Sequence, residues 1–154
     1  MPASSYRVED VLPHRPPMML LDEIVSVDEE DRSLVARATI RKEWSENWAA
    51  IELMAQAAAA LAGVSDRISG STLPARIGFL LGTRRMKLHV PSFEVGKAYE
   101  VTAKDVFSDA ESASFECTVC DGGTVVAEAV LNAYRPADAK AFLASLQEAQ
   151  GKGG

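Results

Sequence analysis

Polar and apolar positions alternate in two early stretches of the chain, take up a helical period in the middle, and alternate again almost to the end. Residues 20–27 open as an apolar run and then alternate through Ile24, Val25 and Val27. Residues 33–40 alternate more cleanly, with Leu34, Ala36, Ala38 and Ile40 on one face and Val35, Arg37 and Thr39 on the other. Both read as strands with one buried face, joined by a solvated turn at Asp28-Glu29-Glu30-Asp31. Over 48–62 the apolar positions Ile51, Met54, Ala55, Ala58, Leu61 and Ala62 recur at the spacing of one helical face. Ser45 or Asn47 is placed to cap that helix, and Gly63 to end it in a left-handed conformation. Strand signals return over about 76–88, 97–107, 112–120 and 124–134. Asp121-Gly122-Gly123 marks a tight hairpin between the last two, and Pro91 to Gly96 forms a looser connection. Pro136 closes the final strand, and 137–150 reads as a short terminal helix.

Two strands, one long helix, then four strands in a meander predict an α+β fold with an antiparallel sheet. The helix is crowded with alanine (Ala49, Ala50, Ala55, Ala57 to Ala60, Ala62) and poor in charge, so a neighbouring backbone can approach it on almost every side. Such a helix is expected to be wrapped by the sheet. Upstream, Leu12-Pro13-His14-Arg15-Pro16-Pro17-Met18-Met19 must be extended or turn-like, because proline disfavours helix in the residue before it. The 154 residues suit one domain, with its core over about 8–136, and Gly151 to Gly154 read as a frayed tail.

Composition narrows the function classes. With 47% hydrophobic and 25% charged residues the chain reads as globular. A formal charge of −6 gives no general attraction to nucleic acid or anionic lipid. No apolar run approaches the roughly 20 residues of a membrane span, and the first ten residues lack the apolar core of a signal peptide. A cytoplasmic location is the expectation. Cys117 and Cys120 form a CxxC pair, but on a strand an offset of three puts the thiols on opposite faces. With no second pair and no nearby histidine they read as packing residues rather than a metal or redox site.

Three stretches resemble a known family. Leu12 to Asp22 (LPHRPPMMLLD) resembles the opening of the bacterial β-hydroxyacyl-acyl-carrier-protein dehydratases, and Ile51 to Ala58 (IELMAQAA) the start of their central helix. Gly78 to Gly82, with Pro91 and Gly96 after it, fits the strand and loop that follow. The resemblance implies a hotdog fold, an antiparallel sheet wrapped around one long central helix. It also implies dehydration of a 3-hydroxyacyl thioester to a trans-2-enoyl thioester in fatty-acid or polyene-type synthesis. The substrate would ride on phosphopantetheine or coenzyme A, with no further cofactor, and acyl carrier protein is the implied partner. One departure matters: the histidine-bearing His-Phe-Pro-Gly loop of the typical dehydratase is replaced by Arg41-Lys42-Glu43-Trp44-Ser45-Glu46-Asn47-Trp48. In this the chain is similar to the dehydratases of aryl-polyene gene clusters.

The reaction needs a base for the α-proton, an acid for the departing hydroxyl and donors for the enolate oxygen. Glu52, near the start of a small-residue helix, suits the acid, since burial raises a carboxyl's pKa towards working pH, and it matches the family's catalytic glutamate. Gln56, one turn on, can orient it. His14 is the candidate base, stiffened by flanking prolines, with a structural histidine as the alternative. Backbone N–H groups of Ala49 and Ala50 are candidate oxyanion donors at the positive helix end. Arg84, Arg85 and Lys87 are either a weak docking site for an acidic carrier or solvated strand residues. His89 is expected to face solvent. Trp44 and Trp48 either line a pocket mouth or staple the helix start. Competing readings are a hotdog thioesterase in which Glu52 activates water, and a weakly active subunit completing a partner's dimer. An open sheet edge predicts a homo- or hetero-dimer, or a higher oligomer, with an acyl tunnel at the interface.

Overall fold

A computed structural model describes residues 6–12, 18–68, 79–109 and 111–134, with the backbone alone for 79–81. His14, the proline-rich stretch around it and the terminal helix expected at 137–150 lie outside the described residues. The chain forms α1 (Val8–Val11), β1 (Glu23–Asp28), β2 (Ser33–Thr39), α2 (Ala50–Ile68), β3 (Phe79–Leu88), β4 (Ala98–Ser108), β5 (Ser112–Asp121) and β6 (Thr124–Tyr134). The six strands make one antiparallel sheet in the order β1-β2-β4-β5-β6-β3. The expected four-strand meander therefore holds only for β4, β5 and β6. β3 crosses to the far edge beside β6, and β2 takes β4 as its neighbour.

The inward face is built by the alternation read from the sequence. Leu34, Ala36, Ala38 and Ile40 of the second stretch are all buried. Register carries the pattern across the sheet, with Ala36 opposite Val101, Val101 opposite Val119, and Val119 opposite Ala127. The first stretch behaves differently. A bulge between Ile24 and Ser26 inserts Val25 and shifts its register, so that Ile24 stands opposite Ala36 and Val27 opposite Leu34; Ile24 and Ser26 are buried, and half-buried Val27 packs against the core.

The long helix lies against this face, chiefly on β4 and next on β5 and β2. It is buried nearly all round: Ala50, Leu53, Met54, Gln56, Ala57, Ala60, Leu61 and Val64 are each 3% exposed or less. The burial is centred one position from the expected stripe, because Leu53 faces the sheet while Ile51 and Ala55 sit at the half-open side. An 18-residue stretch within Asn47–Ile68 has a mean hydropathy of 1.3, enough by length and composition for a membrane span, contrary to the expectation from apolar runs. In this fold 67% of that stretch is buried by the protein's own residues, the environment of a core helix.

Gly63 does not end α2, which continues to Ile68. A Cβ at Gly63 would stand 2.2 Å from the carbonyl oxygen of Val11, so the glycine is there to let α1 approach. Arg67 fastens the same contact by donating to the Asp10 carbonyl at 2.9 Å. Neither expected N-cap caps the helix. Ser45 Oγ donates to the Lys42 carbonyl at 2.9 Å and the Asn47 amide donates to the Val90 carbonyl at 3.1 Å. Two short 3-10 turns, Lys42–Trp44 and Asn47–Ala49, lead into α2 instead. The Pro91–Gly96 connection closes over them through Phe93 N–H to Ser45 O (2.7 Å) and a bridge between Glu46 and Ser92.

Candidate active site

Glu52 lies in the first turn of α2, half-buried, with Gln56 on the same face. The Gln56 Nε2 donates to Glu52 Oε1 at 2.9 Å, the contact expected from the i, i+4 spacing. Gln56 is fully buried and does more than orient Glu52. Its Nε2 also donates to the Met18 carbonyl at 2.7 Å, and its Oε1 accepts from the Leu20 N–H at 2.8 Å. One side-chain amide thus ties the carboxylate to the chain that emerges from the proline-rich stretch. A buried amide must satisfy its donors and acceptor, and here it does so with backbone 36 and 38 residues away. The sequence signal for this was a glutamine in an otherwise apolar helix.

Asp22 anchors the next few residues of that stretch. Its carboxylate accepts from the Thr39 N–H at 2.6 Å and its N–H donates to the Arg37 carbonyl at 2.8 Å. The Leu-Leu-Asp end of the opening motif is therefore an edge clamp, with Leu20 and Leu21 buried. His14, the candidate base, is four residues before Met18 and outside the described residues.

The oxyanion assignment to Ala49 and Ala50 is not supported. Ala49 N–H donates to the Glu46 carbonyl at 3.0 Å, and Ala50 N–H is engaged by the Asn47 carbonyl. Tight 3-10 turns at the helix entrance use the N–H groups that a straight helix start would leave open.

A shallow open cleft enclosing about 10 Å³ is lined by Leu20, Ala38, Thr39, Ile40, Arg41, Trp44 and Leu53. Leu53 follows Glu52 in α2, and Leu20 is held by Gln56. Trp44 lines this cleft, and the Trp48 ring, 55% exposed, stands tilted against the Trp44 ring with centroids 6.0 Å apart. The cleft is smaller than the roughly 300 Å³ or more that ligand pockets usually enclose.

The remaining residues are separate from this group. His89 is exposed, as expected, and meets Glu128 at 3.4 Å. Arg84, Arg85 and Lys87 are exposed on β3. Cys117 and Cys120 lie on opposite faces, as expected. Burial pushes the Cys117 thiol up to about 12, and its weak donor points at the Met54 carbonyl, 3.9 Å away. Cys120 sits beside the Thr118 hydroxyl at 3.6 Å. Among the described residues no three His, Cys, Asp or Glu side chains gather as a metal site would need.

A helix-borne carboxylate and the amide that holds it to Met18 and Leu20 fit one family in particular, and the model of the ApeP dehydratases (ApeP-like) matches residues 6–144. The chain belongs to the ApeP-like dehydratase family. Membership makes it a 3-hydroxyacyl dehydratase, a lyase. Among solved structures it is similar to the dehydratase heterocomplex ApeI:P from Xenorhabdus doucetiae, at 28% identity and a TM-score of 0.82, covering 93% of this chain and 98% of that one. More distant likenesses show the fold alone. A homologue of HP0420 from Helicobacter felis has 10% identity and a TM-score of 0.62, over 86% of this chain and 90% of that one. A hypothetical thioesterase with coenzyme A from Streptococcus pneumoniae TIGR4 has 10% identity and a TM-score of 0.55, over 74% of this chain and 84% of that one. No curated protein matches by sequence. The ApeP-like chain thus has the expected hotdog architecture, with its helix-borne carboxylate on the half-open side of the helix.

Proposed function

We propose that Glu52 is the general acid of this ApeP-like dehydratase, that His14 is its base, and that Gln56 positions the two. The observation that carries the reading is the three-way bonding of Gln56, which joins Glu52 to Met18 and Leu20. His14 is four residues from Met18, and covalent geometry limits that separation to about 14 Å. In the reaction the base takes the α-proton, the electron pair forms the α,β double bond, and the β-hydroxyl leaves as water with a proton from Glu52. Gln56 holds Oε1, so the delivered proton is carried on the carboxyl's other oxygen. The elimination is redox-neutral and needs no cofactor beyond the thioester carrier, for which we favour acyl carrier protein in polyene-type synthesis.

The cleft is too small for an acyl chain on its own, and β3 leaves a sheet edge open. We infer that a second hotdog subunit pairs with that edge and completes an acyl tunnel. The heterocomplex of the Xenorhabdus doucetiae relative favours a different subunit as the partner.

The test incubates wild type, Glu52→Gln and His14→Ala, alone and with a partner subunit, with 3-hydroxyacyl, enoyl and saturated acyl thioesters. Enoyl product is expected from wild type, with turnover falling about 10²- to 10⁴-fold in either variant. Full dehydratase activity in His14→Ala would remove the base assignment. Thiol release from the saturated thioester, without dehydration, would turn the chemistry to hydrolysis.

A further inference from the structure

Residues 18–22 lead into β1, and two side chains hold them from opposite sides. From the helix, Gln56 accepts from the Leu20 N–H at 2.8 Å and donates to the Met18 carbonyl at 2.7 Å. On the sheet side, the Asp22 carboxylate accepts from the Thr39 N–H at 2.6 Å, and the Asp22 N–H donates to the Arg37 carbonyl at 2.8 Å. Only two ladder pairs, Glu23 with Arg37 and Ile24 with Ala36, separate Asp22 from the bulge at Val25. Burial of Leu20 and Leu21 holds the segment down without giving it direction. The two Asp22 bonds flank Ala38 and fix its register along β2. The same tie joins two walls of the cleft, since Leu20 and Thr39 both line it.

We propose that Asp22 is a positioning residue for the dehydration, setting through Leu20 and Gln56 where the Glu52 carboxylate stands. The proposal rests on the reading of Glu52 above and adds the sheet-side half of what holds that group. Leu20 and Asp22 are two residues apart, so at most about 7 Å of chain joins the two ties. While Asp22 grips Thr39, Met18 and Leu20 keep their places beside Gln56. Once that grip is lost the segment is free to slide along β2, and the Leu20 N–H and the Met18 carbonyl move with it. Gln56 is fully buried, and a buried amide must follow its partners. The Nε2 that donates to Glu52 Oε1 at 2.9 Å is then displaced as well. Asp22 itself bonds neither Glu52 nor Gln56; it acts on them through the backbone between. Its bond to Thr39 is of the stronger, charge-assisted kind. Asparagine, with a carbonyl oxygen in the same place, retains an acceptor for that N–H.

The test measures kcat and KM with the 3-hydroxyacyl thioester that wild type turns over fastest in the assay above, the partner subunit being present. It compares wild type with Asp22→Ala, Asp22→Asn and Glu23→Ala, and follows hydrogen exchange at the Leu20 and Thr39 N–H groups. Asp22 is exposed, so alanine there empties no core; should it not fold, Thr39→Pro removes the same bond from the donor's side. Asp22→Ala is expected to lower kcat about tenfold, with KM within about threefold of wild type and faster exchange at both N–H groups. Asp22→Asn is expected to recover to within about threefold of wild type. Glu23→Ala, which breaks the neighbouring ion pair with Arg37, is expected to change kcat by less than about twofold. Added to Gln56→Glu, Asp22→Ala is expected to lower kcat by no more than about threefold further, because both changes act on one segment. Wild-type kcat in Asp22→Ala despite faster exchange would overturn the proposal and leave the tie purely structural. Effects that multiply in the double variant would overturn it too, as would a loss in Glu23→Ala equal to that in Asp22→Ala. An asparagine variant as slow as the alanine one would trace the effect to charge and sink the positioning bond. Full turnover in Glu52→Gln removes the reading of Glu52 and this proposal together, whereas failure at Asp22 alone leaves Glu52 as the acid.

Discussion

Gln56 spends one acceptor and both donors on Leu20, Met18 and Glu52 while fully buried. Replacing it with leucine leaves the buried Leu20 N–H without a partner, at about 1–3 kcal/mol, and also removes the bonds to the part-buried Met18 carbonyl and the Glu52 carboxylate. The expected outcome for Gln56→Leu is a loss of about 3 kcal/mol in denaturant unfolding, with the 18–20 segment released from the helix. Gln56→Glu keeps the shape and removes the donors. Since a misplacement of about 1 Å can cost roughly a hundredfold, its kcat should fall about 10- to 100-fold with KM little changed and the pH–rate profile displaced. An unaltered profile with a stability loss alone would make Gln56 purely structural. Cys117 gives a second prediction. Its thiol titrates near 12 in the fold and near 8.5–9 when unfolded, so the folded state holds the proton more tightly. The contribution is intact below about pH 8.5 and is lost as pH rises towards 12. At pH 10 this thiol should cost roughly 1.4–1.9 kcal/mol of stability relative to pH 8, and thermal melts of Cys117→Ala should lack that part of the decline.

At the scale of elements, Gly63 decides how α1 meets α2. A methyl group there would collide with the Val11 backbone rather than with a side chain that could move aside. Overpacking of this kind costs about 1–3 kcal/mol, against up to about 1 kcal/mol gained from alanine's helix propensity. Gly63→Ala should therefore destabilise, by about 1 kcal/mol or more in chemical unfolding, with exchange of the α1 amides increased. A neutral or stabilising result would show that α1 shifts freely. The same residue shows where the sequence was legible and where it was not. Strands 33–40, 112–120 and 124–134 were readable because alternation follows from local geometry, and they are observed within a residue or so at their ends. The end of the helix was misread because a glycine required for a distant contact looks locally like a terminator. α1 has only four residues, too few to display a period. The bulge in β1 and the crossing of β3 to the far edge depend on partners distant in sequence, which a pattern along the chain does not encode. In the site, the Glu52–Gln56 contact was legible from spacing, and the oxyanion donors were not, because their N–H groups are consumed by turns set by the loop.

On the whole molecule, the two faces of the sheet differ in kind. The inner face is apolar and closed over the helix, whereas the outer face is a lattice of polar pairs. Arg37 bridges Glu23 and Glu100, Thr102 meets Thr118 at 2.5 Å, and Ser114 meets Asn132 at 2.7 Å. Apolar side chains such as Phe107 and Val125 are exposed beside these pairs, and the β3 edge is the surface proposed above for assembly. Surface pairs of this sort are worth about 0–1 kcal/mol each. Arg37→Gln should then change stability by no more than about 1 kcal/mol and leave the association of the chain unaltered. Chemical unfolding and sedimentation of the variant beside wild type check the two expectations. If Arg37→Gln disrupts assembly, the outer face takes part in the contact, and the location of the interface on the β3 edge is wrong.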